Sequence, residues 1–154
     1  MSISKVYRSD EVKNALQENK RDALNASGIT ISGTAKELAP VYEGRLRSSI
    51  AWAIDGGEPQ YPPDLPEYAS DDKSGRDDNN GVKAPKNTVI VGTNVEYARY
   101  QHEGVILRGP RKGQNLEYKM RKAEKKFLEK GIRRNIDKIK RDIRRALEGK
   151  LEKQ

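Results

Sequence analysis

Pro40 constrains this fold more than any other single residue. A proline has no amide hydrogen to give, and the residue before it avoids the helical region, so any helix arriving there must stop. Ahead of it, from about Asp10 to Leu38, Val12, Leu16, Leu24, Ile31, Ala35 and Leu38 keep to one side of a 3.6-residue period. Ser9 or Asp10 can cap the start. The spacing predicts one long amphipathic helix. Gly28 and Gly33 each weaken it by about 1 kcal/mol relative to Ala. A break near Ser27 to Gly33 therefore stands as the alternative, and close packing of the backbone against a sheet is the other use of such glycines.

Beyond Pro40 the period changes from helix to strand. Ile50, Trp52 and Ile54 alternate with Ala51 and Ala53, which predicts a strand with one face in the core, and residues 87–93 (NTVIVGT) read as a second strand. Residues 56–86 between them are rich in proline, glycine and acids and are expected to form a long exposed loop. Glu96 to Glu103 reads as a short helix with Tyr97, Tyr100 and Val95 turned inward. A basic, glycine-rich loop (LRGPRKGQ) follows. Leu116, Met120, Ala123 and Phe127 then keep helical phase, continued by Ile132, Ile136, Ile139, Ile143, Leu147 and Leu151. This is one long helix or two joined at Gly131. A continuous helix from Glu117 to Glu152 would be about 54 Å long, so its far end should project. Its isoleucines suit helix association or packing on the domain's own sheet, and Glu129 with Arg133 and Asp137 with Arg141 have the four-residue spacing of ion pairs.

The expected fold is α+β: a long N-terminal helix, a small, mainly antiparallel sheet with a long inserted loop, and a long C-terminal helix. Residues 1–130 form a single domain in this reading, and residues 131–154 a basic helical extension. Only 34% of the 154 residues are hydrophobic and 35% are charged, so part of the chain is expected to order only against a partner. The net charge of +8 is concentrated late: residues 108–154 carry 18 Lys and Arg against 7 Asp and Glu. Such a stretch attracts polyanions, faces solvent or meets an acidic neighbour.

Little in the chain points to catalysis. With no cysteine there is no disulfide, thiolate ligand or cysteine nucleophile, and a single histidine, His102, makes a zinc site a poor expectation. Asp71, Asp72, Asp77 and Asp78 are acids without the spacing of an EF-hand and suit a solvated loop. LRGPRKGQ lacks the lysine–serine pair of a phosphate-binding loop. Neither a membrane span nor a signal peptide is evident. The expectation is a protein made in the cytoplasm, without catalytic residues, metal, cofactor or membrane contact.

Two stretches carry a family resemblance. Residues 35–50 (AKELAPVYEGRLRSSI), through Ala39, Pro40, Val41, Gly44, Leu46, Arg47, Ser49 and Ile50, resemble the signature of the tail-completion and head–tail joining proteins of long-tailed double-stranded DNA phages. Residues 91–104 (VGTNVEYARYQHEG) resemble its second part through Val91, Gly92, Tyr97, Ala98, Tyr100, Glu103 and Gly104, and Phe127 with Leu128 resemble a third. Glu43 stands where that family usually has Thr, and Lys126 where it has Pro.

The resemblance implies a C-terminal helix laid across the sheet. It also implies a ring, commonly of six copies, that finishes the tail or joins the tail tube to the head connector or head-closure proteins in the virion. The motif residues are expected mainly to determine the fold. Arg47, Glu103, Asp71, Asp72, Lys138, Arg141 and Arg145 are the candidate contacts, the last three on a helix that could also meet DNA through phosphates. A nucleic-acid-binding module built on that helix is the alternative function.

Overall fold

A computed structural model of the chain describes residues 9–40, 45–61, 84–93, 95–106, 109–118 and 123–148. Val41, Gly44, Met120 and the loop acids Asp71, Asp72, Asp77 and Asp78 lie outside them, as does most of the segment expected as an exposed loop.

Helix α1 runs Ser9–Leu38 without interruption, so the break considered near Gly28 does not occur. A Cβ at Gly28 would sit 2.3 Å from Trp52 Cδ1, which only glycine avoids. Gly33 has no such neighbour: a Cβ there meets nothing within 4 Å. The helix ends as its proline requires, with the Ala39 N–H reaching Ala35 O at 2.9 Å just before Pro40.

A helical turn, α2 (Arg45–Ser49), leads into β1 (Ala51–Ile54), which pairs antiparallel with β2 (Val89–Gly92). Ala51 faces Gly92 and Ile54 faces Val89. Both strands are shorter than the sequence pattern suggested, and Ile50 belongs to the approach rather than to the strand. All four β1 residues are buried, so both of its faces are covered, not one. Its outer edge is also used: Trp52 and Gln60 exchange backbone hydrogen bonds of 2.9 and 2.7 Å. At the far end of the hairpin the Asn87 N–H donates to Asp55 Oδ1 at 2.5 Å, with both residues at positive φ.

Helix α3 (Ala98–Glu103) closes on Gly104, whose φ of 70° and N–H bond to Tyr100 O form a left-handed cap that glycine adopts without strain. Val95 and Ala98 are buried at the end of the sheet, Tyr97 packs partly against the core, and Tyr100 is half-exposed. Val95 thus faces inward as expected, whereas the buried place expected of Tyr100 is taken by the smaller Ala98.

Helix α4 (Phe127–Glu148) starts later than the sequence phase indicated, because Leu116 and Ala123 lie in non-helical chain. It passes through Gly131 unbroken. Its 22 residues give a length of about 33 Å at about 1.5 Å per residue. The helix does not cross the sheet. It lies antiparallel along α1: Asn135 bonds Thr34 at 2.8 Å, Lys138 reaches Thr30 at 3.3 Å, and Leu147 shares a surface cleft with Leu16. Gly131 is a point of close approach, since a Cβ there would stand 2.9 Å from Ile31 O.

Helix α1 thus serves two neighbours, the sheet on its Asn25–Gly28 side and α4 on its Thr30–Thr34 side. The core of Ala35, Leu38, Ala39, Leu46, Ile50, Val95, Ala98 and Phe127 forms where their ends meet. Phe127 is wholly buried, and enclosing a side chain of that size stabilises by about 1.5–3 kcal/mol.

Candidate functional site

The first motif is built around the end of α1. A helix leaves its last carbonyls without intrahelical donors, and cations are favoured beside that negative end. The α2 turn brings Arg47 back to supply both needs. Its Nε donates to Ala39 O at 2.9 Å and its Nη2 to Glu37 O at 3.2 Å, and the residue is only 4% exposed. Leu46 and Ile50, four residues apart, bury against Leu38 and Ala39.

The second motif is fastened to the first. Ser49 Oγ donates to Leu46 O at 2.8 Å and lies 2.6 Å from Thr93 Oγ1, which accepts the Val95 N–H at 3.3 Å. With Ala51 opposite Gly92 in the sheet, the stretches form one connected piece of core. Sequence reasoning named Ser49 but not Thr93. No local signal marks a contact between residues 44 positions apart.

Glu103 holds the third piece. Both its oxygens accept from Lys126 Nζ, at 2.9 and 2.8 Å, and His102 Nδ1 lies 3.4 Å away. The Lys126 bond, then the His102 bond, draws the carboxyl below the usual range, and the same pairing raises the Lys126 ammonium. The Lys126 N–H donates to His102 O at 2.6 Å, and its φ is 59°. Proline can do neither, which accounts for lysine at a position where the resemblance led one to expect proline. The His102 ring meets Phe127 edge-on, with centroids 5.1 Å apart. Glu124, which the sequence reading passed over, pairs with Lys130 at 2.6 Å and Arg134 at 2.9 Å; these bonds lower its pKa, with Lys130 the larger cause.

The motif residues described are therefore engaged in the fold, and the outward chemistry lies on α4. Lys138, Arg141 and Arg145 are exposed there; Lys138 is 3.3 Å from Asp142 and so shares its charge. Among the described residues the ion pairs that involve the helix are Lys126–Glu129, Lys130–Glu124, Arg134–Glu124 and Lys138–Asp142 rather than those inferred from spacing. Beside the cations lie large apolar side chains: Ile132 is 44% exposed, and Ile136 and Leu147 are each 38% exposed. Among the described residues no group of His, Asp and Glu could hold a metal ion, and no helix is long and apolar enough to cross a membrane.

Residues 8–104 match the model of the family described as "Bacteriophage HK97-gp10, putative tail-component". No curated protein and no solved structure gives a significant match. The matched span covers more than half the chain and holds both motifs, together with α1, the sheet and α3 that they join. The chain belongs to the HK97-gp10-like family of phage tail components.

Proposed function

We propose that this tail component acts as a structural assembly protein of the virion, completing the upper end of the tail or joining the tail to the head connector, and that it does so as a ring of identical copies. The observation that carries the reading is the family match over residues 8–104, within which Arg47, Ser49 and Glu103 maintain the fold. A scaffold whose family-like residues are spent internally leaves its exposed surfaces for neighbours. Phage extract lacking this protein, supplied with the purified full chain, should regain joined, infectious particles, and light scattering of the chain should show a closed oligomer. A strictly monomeric chain that restores no particles would overturn the reading.

A second reading rests on the exposed cations of α4. DNA contact through Lys138, Arg141 and Arg145 would be to phosphates, so duplex affinity would fall steeply with added salt and be lost when all three are replaced. Salt-insensitive or absent binding would dispose of it.

A further inference from the structure

The apolar side chains of α4 do not all face α1. Gly131, Asn135 and Ile139 mark the row turned to α1, whereas Ile132, Ile136 and Ile143 form a second row about a quarter turn around the helix, ending at Leu147 beside the cleft it shares with Leu16. That row keeps the spacing of a helix-association seam, and three of its four members are more than a third exposed. Arg133, Lys140 and Arg144 flank it on the solvent side. Among the described residues no carboxylate lies within ion-pair distance of these three.

We propose that this flank of α4 is a docking surface for an acidic amphipathic helix of a partner protein, whose apolar face covers the isoleucine row and whose carboxylates meet the flanking cations. Charge complementarity decides the occupant. Helix α4 carries 8 Lys and Arg against 4 Asp and Glu, and two of those acids are already paired with Lys126 and Lys138. A second α4 laid on the first would set cation against cation. A DNA backbone would satisfy the cations and leave the isoleucines in water. Arginine, at two of the three flanking positions, presents a planar fork that matches a carboxylate.

The proposal rests on the assembly reading for who the partner is, while the surface itself stands on the geometry of α4. It is tested on the full chain with three fluorescent probes: a helical peptide of leucine and glutamate with all leucines on one face, a peptide of the same composition with the leucines dispersed, and a short DNA duplex. The one-faced peptide should bind at least tenfold tighter than the dispersed one. I132S/I136S and R133E/R144E should each weaken it at least tenfold at a temperature where thermal melting shows every variant still folded. Equal binding of the two peptides would overturn the proposal. So would duplex binding tighter than the peptide's and indifferent to I132S/I136S, or self-association that those substitutions abolish. Intact peptide binding with failed particle rescue would instead sink the assembly reading alone.

Discussion

The two long helices handle burial in opposite ways. Helix α1 is buried towards two neighbours largely by small residues, Ala23, Ser27, Gly28, Ser32 and Ala35, which let a tryptophan approach on one side and a helix backbone on the other. Helix α4 carries a far more segregated apolar face yet buries few of its large side chains, chiefly Phe127 and Ile139. Strength of amphipathic pattern and depth of burial thus part company. A helix between two partners needs closeness more than bulk, because packing gains come from contact at van der Waals distance.

The largest test of that contrast is Gly28→Ala. The new methyl meets Trp52 Cδ1 at 2.3 Å and Cγ at 2.6 Å, so the ring that donates to Asn25 Oδ1 must move. Denaturant unfolding should show a loss of about 3 kcal/mol, the upper end for overpacking. Next comes Gly131→Ala, where the obstacle is Ile31 O at 2.9 Å. Backbone gives less readily than a side chain tip, but the substitution also gains helix propensity, and the net loss should be about 1–2 kcal/mol. An unchanged stability at either position would mean that the close approach is not part of the folded state in solution.

Gly33→Ala should reverse the sign. It sits in the same helix with open space at its Cβ, so alanine should raise stability by up to about 1 kcal/mol. A loss would reveal a neighbour on that face.

The smallest effect concerns the tie between α3 and α4. Because Glu103 is held below its ordinary value by Lys126 and then His102, its contribution is present above the usual Glu pKa of about 4.3 and is lost as pH falls through the lowered value. Lys126 is raised, so its share persists until pH climbs past the ordinary lysine range. Both groups are more than a third exposed, so solvent screens the pair. Glu103→Gln should lower the Tm slightly at neutral pH and by less well below the usual Glu value. An equal drop at both would assign the effect to packing.

Much of this was legible in the sequence because it depended on local rules. Pro40 had to end α1, and the residues pairing as β1 and β2 show strand composition. What was not legible depended on distance. Nothing near Gly28 names Trp52 as the reason for the glycine, and nothing near Gly131 distinguishes a joint from a point of contact. The route from Leu116 to Phe127 was read as helix because its apolar spacing fits, yet Glu124 and Lys126 donate their N–H groups to Leu38 and His102 instead of to their own turn. The isoleucines of α4 announced an association surface without saying which of them α1 would take. At the candidate site, the motif residues were found and their work was not: Arg47 was open to an ion pair or an interface, and the structure commits it to carbonyls at the end of α1.

The central claim is that the family motifs build the scaffold while the outer flank of α4 meets the rest of the particle. Restoration of infectious particles by purified protein, in extract lacking the chain, tests it most directly when the wild type and I132S/I136S are compared at a temperature where both are folded. The account predicts full restoration by the wild type and little by the variant. Equal restoration by both would contradict the role given to α4, and restoration by neither would contradict the assembly function itself.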